Sequence, residues 1–275
     1  MPEIETVIVS DLHLTEAHVP HPRRPLWMAH KRREYFVDGD VGRLIAHVEE
    51  NATAPVELVL NGDIFDFDAV TELPTEPAGE INWLARVRGL ASEEWMSLFK
   101  IDCIIRDHPA FFDDLAGFVR RGGRAIFIIG NHDLELHWPS VQARIRDRIA
   151  PRSTSGEHSL DPGDDPVVFC EWFYLSAEDT YISHGHQYDP NCVAKSAIHP
   201  LIQIAGRPRV RIPFGDLAGR YMMNGMGYFN PHATESYIKT AWAYARFFFR
   251  YMVRTQPLLL WTWFWGALVT LFVSL

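Results

Sequence analysis

The chain has 275 residues, of which 47% are hydrophobic and 22% are charged, and its formal net charge is −9 at pH 7. This composition is globular, and the length allows a substantial buried core. The negative charge argues against general nucleic-acid binding through the whole surface. Three scattered cysteines without a CxxC pair fit reduced core residues of an intracellular protein rather than a disulfide framework or zinc knuckle. The start "MPEIETVIVSDLHL" has no basic segment before an apolar core, so we expect no secretory signal.

Four short apolar strands are predicted in chain order, and each stops at a polar block. They are "IETVIVS" before "DLHL", "VELVL" before "NGDIFD", "RAIFII" before "GNHD" and "TYIS" before "HGHQYD". A fifth strand, "VVFCEWFYLS" at 167–176, alternates without such an ending and is expected to be a supporting strand. Helices are predicted over roughly 35–52, 92–104, 108–121 and 138–149. Strands alternating with helices indicate an α/β layered fold, whose ligands gather at the carboxyl ends of strands.

Carboxylate, imidazole and amide side chains recur at these strand endings, at Asp11, His13, Asp63, Asn131 and His184. Oxygen and nitrogen donors of this kind suit Mn²⁺, Fe, Zn²⁺ or Mg²⁺ rather than a thiolate-type site. A carboxylate such as Asp63 can bridge two cations. Two cations about 3.5–4 Å apart would activate a water and clamp the attacking and leaving oxygens of a phosphoryl displacement. Each block alone also fits an ordinary turn or polar loop, and the metal site is predicted from all four together.

Two further residues suit acid–base work beside such a centre. His132 follows Asn131, and its side chain could stabilise the phosphoryl oxygens or protonate the leaving group. Asp66, three residues after Asp63, is well placed to orient that imidazole and raise its pKa. Asp133 has no predicted chemical role and is expected to anchor the loop.

The blocks "SDLHL", "GDIFD", "GNHD" and "SHGHQYD" resemble the successive blocks of the calcineurin-like metallophosphoesterases over about residues 4–190. The resemblance implies a β-sandwich flanked by helices, in α/β/β/α layers, and a dinuclear metal centre for which Mn²⁺ is favoured. It implies the metal ligands Asp11, His13, Asp63, Asn131 and His184, with Asp63 bridging, and matches His132 and Asp66 to an acid and its orienting carboxylate. The "HGHQYDP" block and the basic excursion after "SDLHL" look most like UDP-2,3-diacylglucosamine hydrolases and their relatives.

One block of the family pattern is missing from the sequence. The pattern ends with GHxH, whose two histidines complete the metal shells, and after His184 only His186, His199 and His232 remain. His186 could substitute, although it aligns better as a neighbour of the fourth block. Either the block lies in a part of the protein beyond this sequence, or the metal site is built differently.

A basic excursion follows the first block. Its charged residues are Arg23, Arg24, Lys31, Arg32 and Arg33. These residues could attract either a phosphate-bearing substrate or an anionic membrane surface. The predicted substrate-binding residues are Arg23, Arg24, Arg32 and Arg33. A solvated charged loop fits the same pattern.

The carboxyl-terminal stretch "TQPLLLWTWFWGALVTLFVSL" at 255–275 has no charged residue. About 19 helical residues would extend roughly 28 Å, close to the ~30 Å bilayer core. We therefore predict membrane contact through 257–275; a buried core helix, a dimer helix or a hydrophobic hairpin fits the same pattern. The predicted domains are a catalytic domain at 1–195, a helical, aromatic extension at 196–254 and this apolar segment at 255–275.

These patterns favour a metal-dependent hydrolase that cleaves a phosphoester or pyrophosphate bond by a metal-activated water. The expected substrate is a phosphorylated small molecule or a lipid- or nucleotide-linked compound, and no nucleic-acid partner is expected. The expected location is the cytoplasm, at the inner face of the membrane. Two alternatives remain: a soluble nucleotide or protein phosphatase, and a catalytically impaired, membrane-associated binding protein that lacks the last metal-ligand block.

Overall fold

The computed structural model describes residues 4–20, 28–150, 165–177, 179–196, 198–204, 206–224, 242, 245, 249 and 259–275. Its strands are β1 (Glu5–Val9), β2 (Val56–Asn61), β3 (Arg124–Ile128), β4 (Val167–Cys170), β5 (Tyr174–Ser176), β6 (Thr180–Ile182), β7 (Leu201–Ile204) and β8 (Arg207–Val210). Its α-helices are α1 (Asp38–Asn51), α2 (Trp83–Arg88), α3 (Glu94–Asp107), α4 (Pro109–Arg120), α5 (Pro139–Ile149), α6 (Phe214–Ala218) and α7 (Leu259–Ser274). Short 3₁₀ helices lie at Ala29–Lys31, Arg33–Tyr35, Leu134–His137 and His186–Tyr188, and a π-helix at Gly219–Met223.

Strands β1 to β4 form a parallel sheet in the order β1-β2-β3-β4. The register pairs Val9 with Leu60 and Leu60 with Phe127, so the first three strands end at the same edge. Strand β2 is buried along 56–60, as expected for a parallel strand that is covered on both faces. Helices α1, α3, α4 and α5 cover one face, over a core that contains Leu58, Leu60 and Phe127.

Strands β5 and β6 form an antiparallel hairpin that covers the other face of the sheet. Ile182 of β6 packs with Val59, Ile126 and Ile128 in a separate small core. The layers of helix, parallel sheet and hairpin confirm the predicted α/β fold, and in the described residues this second sheet has only two strands.

The prediction of one continuous strand over 167–176 is wrong. The chain bends at residues 171–173, so that β4 joins the parallel sheet while β5 pairs with β6. The sequence alternation continues across the bend because Val168, Cys170 and Tyr174 all pack against the same small core. A periodic pattern of this kind cannot distinguish one long strand from two short strands that share a core.

The predicted helices agree with α1, α3, α4 and α5 to within three residues at each end. The predicted helical extension differs near its start, because β7 pairs with β8 in an antiparallel hairpin. Helix α7 packs against α6 and the π-helix. Most of the aromatic stretch at 241–253 lies outside the described residues. Among the helices that the structure describes, none has both the length and the apolar character needed to cross a membrane.

Candidate metal centre

The loops that follow β1 and β2 run side by side at the carboxyl edge of the sheet. The backbone N–H groups of Asp11 and His13 donate to the carbonyl oxygens of Gly62 and Asp63 at 3.2 and 3.0 Å. Asp11, His13 and Asp63 have φ angles of 57°, 48° and 53°. Positive φ is unfavourable for residues with a Cβ, and such strain is concentrated at functional sites. Three of the predicted ligands are therefore held in strained backbone conformations.

Two glycines allow the polar blocks to approach one another. Gly62 has a φ of 76°, and a Cβ there would collide with the His184 ring. A Cβ on Gly130 would collide with the carboxylate and the backbone nitrogen of Asp63. Because only glycine leaves this space, it is required at both positions for the second, third and fourth blocks to converge.

The Asp63 carboxylate lies at the centre of the predicted ligands and is almost fully buried. Its Oδ2 is 3.4 Å from His184 Nε2 and 4.0 Å from His13 Nε2. Its Oδ1 accepts the backbone N–H of His132 at 2.9 Å. His13 Nε2 is also 3.9 Å from Asp11 Oδ1. One oxygen of Asp63 thus faces imidazoles from the first and fourth blocks, which suits a carboxylate shared between cations.

Asp63 and His184 shift each other's pKa in opposite directions. Burial favours a higher pKa for Asp63, but the hydrogen bond from His184 and the charges of the nearby histidines lower the pKa to about 2. Burial favours a lower pKa for His184, but the hydrogen bond and charge of Asp63 raise the pKa to about 9. The imidazole therefore carries a proton beside an ionised carboxylate, and a bound cation would replace that proton.

His184 is oriented by the backbone, and His186 lies beside it. His184 Nδ1 is 2.9 Å from the carbonyl oxygen of Asn61 and donates to it, which leaves Nε2 toward Asp63. The His184 and His186 ring centroids are 5.5 Å apart. Burial and the charge of His184 lower the pKa of His186 to about 4. The buried Nδ1 of His186 has no hydrogen-bond partner in the part of the chain that the structure describes. His186 is thus neutral and adjacent to the centre, and its role as a ligand stays a prediction.

The structure brings His132 and Asp66 together, and it adds a second carboxylate. His132 Nδ1 is 3.5 Å from Asp66 Oδ1, and His132 Nε2 is 3.4 Å from Asp216 Oδ1. The His132 ring also meets His13 edge to face, with 4.9 Å between centroids. Burial favours a lower pKa for His132, but the charges of Asp66 and Asp216 raise the pKa well above its ordinary value. Asp66 therefore favours a protonated His132, while burial raises the pKa of Asp216 itself well above its ordinary value.

Asp133 anchors the loops, as expected from its place in the third block. The side chain is fully buried, and its Oδ1 accepts the backbone N–H of Gly130 at 2.6 Å. Its Oδ2 accepts the backbone N–H groups of Ile64 and Phe65 at 2.9 and 3.4 Å. One carboxylate thus joins the loops after β2 and β3, and so fixes Asp63 relative to Asn131.

The described residues form three groups whose ligand atoms lie within 4.8 Å of one another. They are Asp11, His13 and Asp63; His13, Asp66 and His132; and Asp68, His132 and Asp216. Only the first consists entirely of predicted ligands. Its buried carboxylate and its imidazole are donors that Mn²⁺, Fe, Zn²⁺ and Mg²⁺ accept, so the donor chemistry fits divalent cations.

A cavity of about 570 Å³ opens over the centre. Among the predicted site residues it is lined by Asp11, His13, Asp66, Asn131 and His132. Its other lining residues include Asp68, Cys192 and Asp216. None of the described residues that line it is Lys or Arg.

The described basic residues of the excursion lie away from this cavity. Arg33 Nη2 is 2.5 Å from Asp107 Oδ1, and Arg32 Nη1 is 3.5 Å from Glu34 Oε1. Lys31 is buried and donates to Glu16 at 2.7 Å. The structure therefore does not bring Arg32 or Arg33 to the candidate site, because acidic neighbours hold them elsewhere. Arg23 and Arg24 lie outside the described residues.

Sequence reasoning missed Asp68 and Asp216. Asp68 is two residues after Asp66 and is buried beside Arg220, with which it forms an ion pair. Burial raises the pKa of Asp68 to about 6 against the opposing charge of Arg220. The tail of "GDIFDFD" was a weak signal for Asp68. Asp216 lies in "FGDLAG", follows no predicted strand ending, and carries no comparable signal.

The parallel sheet, and the carboxylates and imidazoles gathered at its carboxyl edge, define an α/β protein with a candidate site for divalent metal ions. A match to the family model for calcineurin-like phosphoesterases spans residues 4–216, and the chain belongs to this family. Membership implies hydrolysis of phosphoesters with divalent metal ions. Comparison with curated proteins and with solved structures finds no match. The finer resemblance to UDP-2,3-diacylglucosamine hydrolases stays a prediction.

Proposed function

We propose that the protein hydrolyses a phosphoester or pyrophosphate bond at a centre of two divalent cations, with Mn²⁺ favoured. The ligands in this proposal are Asp11, His13, Asp63, Asn131 and His184, with His186 as an additional candidate. The observation that carries the proposal is the position of Asp63 Oδ2, which faces both His184 Nε2 at 3.4 Å and His13 Nε2 at 4.0 Å. A buried carboxylate shared in this way by two loops suits a bridging ligand.

The cations, when bound, supply Lewis-acid activation of a water and neutralise charge on the phosphoryl group. The residues of the chain then orient the substrate and donate a proton to it. His132 lies between Asp66 and Asp216 and, when protonated, can donate to a phosphoryl oxygen or to the leaving group. Asp66 is itself fixed, because its Oδ1 accepts the backbone N–H of Ala69 at 2.8 Å.

The proposed substrate is a phosphorylated small molecule or the head group of a lipid- or nucleotide-linked compound. A volume of about 570 Å³ lies within the range of small-molecule sites. Since none of the described lining residues is Lys or Arg, the negative charge of a phosphate would be met by the cations and by His132. This makes substrate binding depend on metal.

The proposal is tested with metal-free protein, reloaded with Mn²⁺, and an aryl phosphodiester. The Asp63→Asn variant is expected to lose at least about 100-fold in metal-stimulated turnover, because the shared oxygen loses its charge. The matched control is Asp147→Asn, which neutralises an exposed carboxylate on α5 and should retain wild-type turnover. Wild-type activity in Asp63→Asn would refute the proposed centre.

We further propose that the protein works at the inner face of the membrane and that α7 contacts the lipid. The helix exposes large apolar side chains at Trp261, Phe264, Trp265, Leu268, Leu271, Phe272 and Val273. Exposed apolar surface of this extent favours a lipid or protein partner. Deleting 257–275, or replacing both Leu271 and Phe272 with glutamate, should move the protein from the membrane fraction to the soluble fraction. Unchanged partitioning of both variants would count against lipid contact.

A catalytically impaired, membrane-associated binding protein is the second candidate. The observation that favours it is the missing GHxH block in the sequence. Metal content and turnover of the purified chain separate the candidates. Two cations per chain with hydrolysis support the enzyme, whereas one cation or none, without hydrolysis, supports the binding protein.

A further inference from the structure

Asp216 stands outside the four polar blocks and yet reaches the candidate centre. It lies in α6 and is 1% exposed. Its Oδ1 accepts a hydrogen bond from Asn131 Nδ2 at 2.9 Å and is 3.4 Å from His132 Nε2. Its Oδ2 is buried and has no hydrogen-bond partner among the described residues, and the residue lines the cavity. A buried carboxylate therefore contacts both functional side chains of the "GNHD" block.

The contact with Asn131 has a chemical consequence. An asparagine side chain has a donating NH₂ end and an accepting oxygen end, and the Oδ1 of Asp216 accepts from the NH₂ end. Because Asp216 takes the NH₂ end of Asn131, the oxygen end is the one that remains for a cation. An amide without this partner could turn its NH₂ group toward the cation and would then be unable to bind it.

The segment that carries Asp216 is held firmly in place. The backbone N–H of Gly215 donates to the carbonyl oxygen of Asn191 at 2.8 Å. One turn after Asp216, the buried Arg220 forms an ion pair with Asp68, and its Nη2 is 3.6 Å from Glu135 Oε1. These contacts join α6 and the π-helix to the loops after β2 and β3, so the position of Asp216 is built into the fold.

We propose that Asp216 is a positioning residue of the metal centre: it presents the oxygen of Asn131 to the cation and holds the His132 ring from the side opposite Asp66. The inference rests on the proposed function, because it assigns Asn131 as a ligand. It adds to the proposed metal centre a carboxylate from α6, which follows the fourth block in the sequence. Removing Asp216 should therefore weaken metal binding although Asp216 is not one of the proposed ligands.

Two substitutions separate the hydrogen bond that Asp216 accepts from Asn131 from the carboxylate that lies beside His132. Asp216→Ala removes both, and the dissociation constant for Mn²⁺ should rise about 10- to 100-fold, the usual effect of losing a residue that orients a ligand. Asp216→Asn keeps an accepting oxygen for Asn131, so affinity for Mn²⁺ should stay within about threefold of wild type. The same variant changes the carboxylate beside His132 Nε2 but keeps the contact with Asn131, so it should lower kcat more than it raises KM.

The control is Glu57→Gln, which removes another buried carboxylate. Glu57 accepts from Arg124 at 2.6 Å and from Tyr174 at 2.7 Å, within β2 and away from the centre. This variant should bind Mn²⁺ as wild type does. A metal-independent measurement follows the side-chain NH₂ signal of Asn131 by ¹⁵N NMR. Its hydrogen exchange should be slow in wild type and Asp216→Asn, and fast in Asp216→Ala.

The outcomes distinguish this inference from the proposed function. If wild-type protein binds Mn²⁺ and turns over substrate but Asp216→Ala has wild-type affinity, the role of Asp216 is refuted and the proposed function stands. If wild-type protein binds no Mn²⁺, both are refuted. Should Asp216→Ala not fold, Asp216→Asn decides: unchanged kcat, together with fast exchange of the Asn131 signal, overturns the inference.

Discussion

Replacing Asp133 with alanine should destabilise the protein severely, although Asp133 is not a predicted metal ligand. The substitution leaves three backbone N–H groups without their acceptor, those of Gly130, Ile64 and Phe65, at 2.6, 2.9 and 3.4 Å. A buried donor without a partner costs about 1–3 kcal/mol, and the longest of the three bonds contributes least. We therefore expect a loss of about 3–5 kcal/mol in the free energy of unfolding, a large part of the 5–15 kcal/mol typical of folded domains.

Asp133→Asn should cost less, about 1–3 kcal/mol, because the amide keeps one accepting oxygen and turns its NH₂ group toward only one of the two loops. Urea denaturation followed by tryptophan fluorescence measures both losses in metal-free protein. Burial and the charge of Asp63 raise the pKa of Asp133 to about 7, so pH 8 keeps the carboxylate ionised.

The matched control is Asp113→Ala, which removes an exposed carboxylate that pairs with Arg148 on the surface. Exposed pairs of this kind are worth about 0–1 kcal/mol, so this variant should lose no more than that. A loss below about 1 kcal/mol in Asp133→Ala would show that the three N–H groups find other acceptors, and would refute the role of Asp133 as an anchor.

Two further predictions concern buried charges. Lys100 Nζ is fully buried and donates to Glu135 at 2.8 Å. Lys100→Met should therefore lower the free energy of unfolding by about 3 kcal/mol, and adding Glu135→Leu should recover part of that loss. Additive losses of the two substitutions in urea denaturation would contradict this. Burial lowers the pKa of His137 from 6.5 to about 4. Between these pH values the unfolded chain binds more protons than the folded chain, so the free energy of unfolding falls as the pH falls. From pH 7 to 5, wild type should therefore lose about 2 kcal/mol more than His137→Gln, and equal losses would contradict this.

The sequence predicted those parts of the fold that local patterns determine. The structure contains the four predicted apolar strands and the four predicted amphipathic helices within a few residues of their predicted bounds, because each pattern repeats over a whole element. The bend at 171–173 could not be predicted, since the alternation of Val168, Cys170 and Tyr174 continues through it. The β7–β8 hairpin was missed because its strands are short and largely exposed, so they lack a buried apolar run.

Some residues of the candidate site could likewise be predicted from the sequence, and others could not. Asp11, His13, Asp63 and Asn131 could be named because each directly follows an apolar strand, and parallel strands bring such endings to one edge. Asp216 comes from a short helix 32 residues after His184, and nothing near it in the sequence marks it. Its position depends on tertiary contacts of the segment, among them the ion pair of Arg220 with Asp68. The basic excursion shows the converse: its described charges, at Lys31, Arg32 and Arg33, pair with nearby carboxylates and do not line the cavity.

The charge distribution explains why this fold should depend on cations. Four carboxylates are buried within a small volume, those of Asp63, Asp68, Asp133 and Asp216. Burial, together with neighbouring carboxylates, raises the pKa of Asp68, Asp133 and Asp216, in the case of Asp133 to about 7. Arg220 neutralises only part of this charge. In the absence of metal the rest is offset by protons on carboxyl groups and histidines. Divalent cations would displace those protons and relieve the repulsion, so the arrangement that strains the metal-free fold is the one that would favour cation binding at the proposed centre.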